Sequence, residues 1–172
     1  MDTKLMFSSK NQVWETRQEY FDKWNKRFGF SLDVCSSPGS QKCDKYFSPE
    51  DDGLSQSWMN EVFWCNSPYS REQAKWVKYG IEQGASGVFL LPSRTDTKLY
   101  HEWLEPNCKI EFIKGRLIFG SDDHWKSIWA DLQSKIDLLD ENQDKEEIKK
   151  LKARLGKMAP APFPSLLAIL NM

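Results

Sequence analysis

Two hydrophobic periods alternate along this chain, and their order predicts strands interleaved with helices. Tyr20, Phe21, Trp24 and Phe28 recur at helical spacing, Thr16 with Glu19 has the spacing of a capping box, and Gly29 is placed to end the helix. Residues 30–34 then read as a first strand, followed by the small-residue loop 35–40. Tyr46-Phe47 is either a short second strand or an apolar anchor in a loop, and 48–53 is acidic and turn-like. Residues 62–65 form a short apolar strand that stops at Asn66 and Pro68. Ser70 with Gln73 repeats the capping-box spacing ahead of an amphipathic helix over 71–83, with Trp76, Val77 and Ile81 inward and Gly84 as its stop.

The second half continues the alternation. Val88-Phe89-Leu90-Leu91 is an unbroken apolar run, as expected of a strand buried on both faces of a parallel sheet. The loop 92–98 leads to a helix carrying Leu99, Trp103 and Leu104, and 109–113 and 116–119 read as two strands joined around Lys114-Gly115. Residues 121–158 differ: Trp125, Ile128, Trp129, Leu132, Ile136 and Leu139 mark one helical stripe, 142–144 a break, and Ile148, Leu151 and Leu155 a second stripe. This predicts a helical hairpin inserted before a last strand, 165–170, which the proline-rich stretch 160–164 approaches in extended form.

Composition narrows the picture only modestly. At 172 residues with 40% hydrophobic positions, one domain spanning residues 1–172 with a real core is expected. The formal net charge of −1 means that a nucleic acid would have to be met by a local basic face rather than a global field. The four cysteines are scattered without a Cys-x-x-Cys, and His101 and His124 are not spaced with them as zinc ligands, so no metal site is expected. Free thiols in a reducing compartment are the expectation. Residues 1–7 lack an apolar signal core and no apolar run is long enough to span a membrane, so the protein is expected in the cytoplasm.

The chemistry concentrates at 61–70. A polar acceptor, a stiff turn and an aromatic plate stand at the carboxyl end of a strand, where open α/β sheets bind ligands. Such a site suits methylation of an exocyclic amino group on a base, a poor nucleophile because its lone pair is delocalised into the ring. The Asn66 side-chain oxygen and the Ser67 backbone carbonyl can accept its two hydrogens, and Tyr69 can stack on a base taken out of the duplex.

Asn66-Ser67-Pro68-Tyr69 resembles the Asn/Asp/Ser-Pro-Pro-Tyr/Phe/Trp signature of amino-group DNA methyltransferases, and its context resembles the small Dam-like phage DNA adenine methyltransferases. The matching blocks include Trp14-x-Thr16, 28–34, Asp51-Asp52-Gly53-Leu54, Trp58, 91–97, 115–119 and 161–165. Ser67 stands where the family usually has Pro, and Arg17 where it often has Pro. The Ser67 carbonyl is kept, but φ is no longer held near −65°.

The resemblance implies a single-domain, Rossmann-like, doubly wound α/β methyltransferase that uses S-adenosylmethionine to methylate the N-6 amino group of adenine in DNA. It also implies a phage or prophage origin and a bacterial host cytoplasm. Methylation of cytosine at N-4 is the nearest alternative, since the same geometry serves both bases. A DNA- or cofactor-binding protein of weakened catalysis is the alternative from another class, for which Ser67 is the hint. Asn66, Ser67, Pro68 and Tyr69 are the implied catalytic residues, and Trp14, Thr16, Asp33 and Asp52 the implied cofactor contacts. Thr16 also fits a plain N-cap and Asp33 a structural carboxylate. Arg94, Lys98, Lys114 and Arg116 suit phosphate contacts, although Arg94 can instead pair with Asp96 and the other two can mark a solvated hairpin tip. Lys149, Lys150 and Arg154 on the basic second arm of the insert suit DNA phosphates, a homodimer contact or plain solubility.

Overall fold

The computed structural model of the chain describes residues 14–36, 39–120, 122–140, 143–155, 161 and 163–172. Strands β1 (Leu32–Asp33), β2 (Lys45–Tyr46), β3 (Val62–Cys65), β4 (Ser86–Pro92), β5 (Cys108–Phe112) and β6 (Ser165–Leu170) form one six-stranded sheet. Its order is β2-β1-β3-β4-β6-β5. The first four strands are mutually parallel, and β6 lies antiparallel between β4 and β5, so β5 runs in the direction of β4. The carboxyl ends of five strands therefore share one edge of the sheet, and the loops that follow β1, β3, β4 and β5 leave from it.

Alternating side chains of the strands feed two apolar layers. Phe63, Cys65, Phe89, Leu91, Leu166 and Ala168 face a layer completed by α2 (Gln73–Glu82) and by a π-helical turn, Tyr100–Leu104, that runs on into α3 (Glu105–Asn107). Trp64, Val88, Leu90, Leu167 and Ile169 face the opposite layer, which α1 (Gln18–Phe28) closes with Phe21 and Trp24. Trp24 stacks on Trp64 at 5.5 Å between ring centroids, fixing α1 against β3. On the other face Gly80 lets α2 lie close to the sheet: a Cβ there would come within 2.8 Å of the Phe89 ring and 2.9 Å of the Trp58 ring.

Neither expected capping box forms. The N-cap of α1 is Arg17, in extended conformation and without a side-chain cap bond, because the Thr16 hydroxyl is committed elsewhere. Helix α2 begins at Gln73 rather than 71, and the Ser70 hydroxyl accepts from the Glu72 N–H in the turn ahead of it. Gly29 does end α1, in the left-handed region at φ 68°.

The expected strand over 116–119 is absent. The inner side of β5 is occupied by β6, and after Gly115, at φ 83°, the chain leaves the sheet. Leu117 and Phe119 are then buried in the layer beside α1, and the Leu117 carbonyl accepts from the Ala161 N–H at 2.8 Å. Helices α4 (Asp122–Asp137) and α5 (Lys145–Leu155) follow, between β5 and β6 in sequence, with Leu132, Ile136 and Ile148 buried. The side chains of Trp125, Ile128, Trp129, Arg154 and Leu155 lie outside the described residues. Among the described residues no helix is long and apolar enough to cross a membrane.

Candidate active site

A cavity of about 280 Å³ opens at the carboxyl ends of β1 and β3. Trp14, Thr16, Asp33, Asp52, Asn66, Ser67 and Pro68 all line it, so residues spread over more than fifty positions meet in one place. Its size falls just below the roughly 300–1,000 Å³ typical of small-molecule sites.

Asn66 is the best defined element. Its Nδ2 donates to the Trp14 carbonyl and, at 3.0 Å, to the Thr16 Oγ1. A carbonyl can only accept, so the amide nitrogen must be the atom on that side. Its Oδ1 is therefore turned the other way, and it is buried with no hydrogen-bond partner among the described residues. An orphaned buried acceptor costs stability that a donor from a ligand would recover. Ser67 is likewise buried, next to the Cys65 sulfur.

Asp33 lies at the end of β1 and is only 3% exposed. Its Oδ2 accepts from the Lys42 N–H at 3.0 Å and its Oδ1 from the Cys35 N–H at 3.3 Å. Burial pushes its carboxyl up to about 6, against the opposing pull of those two N–H groups and of the Lys42 charge. A buried carboxylate with this much unmet demand is suited to a ligand donor or cation. Sequence patterning does not single out Lys42, whose Nζ pairs with Glu15 at 3.4 Å while its main chain serves Asp33. The only local signal is that it follows the small-residue loop. Cys35 also lines the cavity, but burial, with Asp33 nearby, pushes its thiol up to about 12, which leaves it neutral and a poor nucleophile.

Asp52 lies on the cavity rim in the left-handed region, φ 50°, at the head of a 3-10 turn, Gly53–Ser55. Gly53 allows that turn to touch β1: a Cβ there would sit 2.3 Å from the Val34 carbonyl oxygen.

Tyr69 does not line this cavity. Its ring stands nearly perpendicular to Phe163, at 5.3 Å, and to Phe119, at 6.0 Å. Burial raises its phenol, and the hydroxyl is buried without a partner among the described residues. The same two phenylalanines hold Trp14 edge-on, at 5.7 and 5.4 Å, so Tyr69 and Trp14 share one aromatic frame.

Of the basic residues, Arg94 is exposed in the loop after β4, Lys98 is exposed at the start of the helical segment that follows, and Lys114 and Arg116 are exposed after β5. Both loops leave the sheet edge that carries Asn66. Arg94 forms no ion pair with Asp96, and the Thr97 hydroxyl instead closes the loop on the Arg94 carbonyl at 2.9 Å. Lys149 and Lys150 are exposed on α5. Among the described residues no group of His, Cys, Asp and Glu is arranged to hold a metal ion.

The family model described as DNA N-6-adenine-methyltransferase (Dam) matches residues 3–157. A protein of Escherichia phage T1 named DNA N-6-adenine-methyltransferase is 31% identical over 110 residues, which cover 61% of this chain and 46% of that protein. The chain thus spans about half the length of the curated relative it matches. Since the family match runs from ahead of Trp14 to beyond α5 and takes in every residue gathered around the cavity, the chain belongs to the DNA N-6-adenine-methyltransferase (Dam) family.

Proposed function

We propose that this chain methylates the exocyclic N-6 amino group of adenine in DNA, with S-adenosylmethionine as the methyl donor. The observation that carries the reading is the Asn66 carboxamide: both its N–H bonds are spent on Trp14 and Thr16, and its buried Oδ1 is left as an acceptor. An acceptor drawing on an amino hydrogen pulls that nitrogen toward tetrahedral geometry and frees its lone pair. Ser67 supplies a backbone carbonyl for the second hydrogen, Pro68 stiffens the turn, and Tyr69 supplies an aromatic surface for the extruded base. Asn66 arrives already oriented, so no reorganisation is needed when the amine enters.

The residues of the cavity fit the donor. Asp33 and Asp52 offer acceptors for its cationic and hydroxyl groups, and Trp14 offers an aromatic wall. S-adenosylmethionine, when bound, supplies an electrophilic methyl group on a sulfonium. What the chain adds is alignment, an oriented acceptor and exclusion of water. The family membership and the shared name of the phage T1 relative support adenine over cytosine. We further read the chain as one Rossmann-like domain with 121–158 as a helical insert. We read Arg94, Lys98, Lys114 and Arg116 as phosphate contacts, and Lys149, Lys150 and Arg154 of the insert as a second set.

The test is direct. DNA is incubated with S-adenosylmethionine labelled in its methyl group, digested to nucleosides and resolved by mass spectrometry. Label in N-6-methyladenine is the expected result. Methylcytosine alone, or no transfer together with no cofactor binding by calorimetry, would overturn the reading.

A further inference from the structure

We infer that Thr16 is a positioning residue for Asn66: its hydroxyl anchors the carboxamide in the orientation that the Trp14 carbonyl selects, with the acceptor end toward the substrate amine. This rests on the methyltransferase reading above and adds to it a role for the segment 14–16 that acts through Asn66.

Thr16 is 2% exposed, and its hydroxyl does no work for α1, whose N-cap has no side-chain cap bond. The Oγ1 instead accepts from Asn66 Nδ2 across fifty positions of sequence. Rotation of a terminal carboxamide is intrinsically broad and two-fold, so the two ends of the Asn66 side chain are nearly equivalent unless neighbours distinguish them. The Trp14 carbonyl distinguishes them, because it can only accept; the Thr16 hydroxyl, which can also donate, adds a second anchor that holds the carboxamide in that orientation. With the hydroxyl removed, one anchor is left, and the carboxamide is held less firmly in its working orientation.

The segment is a rigid bracket. The Trp14 ring is held edge-on between Phe119 and Phe163, and the Glu15 carbonyl accepts from the Gly120 N–H at 2.8 Å. Phe119 and Phe163 also hold Tyr69, so the bracket places Asn66 and Tyr69 relative to each other. Thr16 lines the same cavity as Asp33, which is why a direct cofactor contact is the competing role and why the measurement must separate them.

The experiment compares wild type, Thr16→Val, which keeps the shape and loses the hydroxyl, and Thr16→Ser, which keeps the hydroxyl. Each is assayed for kcat and KM on DNA and for S-adenosylmethionine affinity by calorimetry. Thr16→Val is expected to lower kcat by about 10–100-fold, the range seen when a hydrogen-bonding partner behind a metal ligand is lost. Its cofactor Kd should stay within about twofold, and Thr16→Ser should recover most of the missing kcat. NMR supplies a second readout that needs no turnover: the Asn66 side-chain amide protons should be protected from exchange in wild type and lose protection in Thr16→Val. A Thr16→Val protein with weakened cofactor binding and full kcat at saturation would overturn the inference in favour of a cofactor contact. Unchanged kcat and unchanged amide protection would overturn it outright. Absence of transfer by the wild type would instead sink the methyltransferase reading itself. Should Thr16→Val fail to fold, Thr16→Ala is subject to the same comparison.

Discussion

The indole Nε1 of Trp58 donates a buried 2.8 Å hydrogen bond to the carbonyl of Gly53. Trp58 is thereby tied to the turn that carries Asp52 on the cavity rim, and its ring stacks over Trp76, another lining residue, at 6.1 Å. Trp58→Phe should orphan that carbonyl at a cost of about 1–3 kcal/mol, plus a contribution from the smaller ring. Urea unfolding should show the loss, and calorimetry should show weaker S-adenosylmethionine binding. Loss of stability with unchanged affinity would show that the turn holds its place without Trp58.

If Asp33 holds the cofactor, binding should depend on pH. Its carboxyl sits at about 6 instead of 3.8, so the native protein keeps a proton that the unfolded chain releases between those values. The contribution of Asp33 to stability therefore falls as pH rises through that window and stays low above it. A cation or donor that prefers the ionised form works the other way. Affinity should rise about tenfold between pH 5 and pH 7, with protons released on binding near pH 6. Calorimetry in buffers of different ionisation heat reads both quantities, and a flat profile over that range would remove Asp33 from the cofactor contacts.

Asn66→Ala should cost roughly 2.7–4 kcal/mol in the barrier, as loss of one oriented hydrogen-bonding group does elsewhere, and leave cofactor binding nearly intact. Asn66→Asp is the sharper test. The family signature tolerates Asp at this position, but here a carboxylate oxygen would meet the Trp14 carbonyl, which has no hydrogen to give. Turnover by Asn66→Asp at neutral pH is expected to be as low as that of Asn66→Ala. An active Asp variant would show that the Trp14 carbonyl does not select the residue.

Charge reversal at Lys149, Lys150 and Arg154 should weaken duplex binding. The salt slope should fall by about 0.9 for each phosphate that is no longer neutralised, with S-adenosylmethionine affinity unchanged. Fluorescence anisotropy across a salt series measures this. Unchanged binding in the triple variant would assign DNA to the Arg94, Lys98, Lys114 and Arg116 side alone. The hairpin would then be structural or a contact between copies.

Local order was legible wherever neighbouring residues decide it. The apolar run 62–65 broken by Asn66 and Pro68 became β3, the run before the C-terminus became β6, and Gly29 ended α1. These outcomes depend on side-chain period and backbone freedom over a few residues, which a sequence displays directly. The position of Asn66 at the carboxyl end of a parallel strand followed from the same signals.

Tertiary structure decided what depends on distant partners. Thr16 and Glu19 have capping-box spacing, but a hydrogen bond to Asn66, fifty residues away, takes the Thr16 hydroxyl. Residues 116–119 have the alternation of a strand, but β6 arrives from residue 165 to fill the place beside β5. Leu117 and Phe119 gain more by burial against the α1 side of the sheet. Asn66 reads in sequence as an acceptor and no more. Which of its two ends is left without a partner is set by the Trp14 carbonyl that folding brings to it, because a carboxamide is nearly symmetric in shape and only its hydrogen-bonding neighbours tell its ends apart.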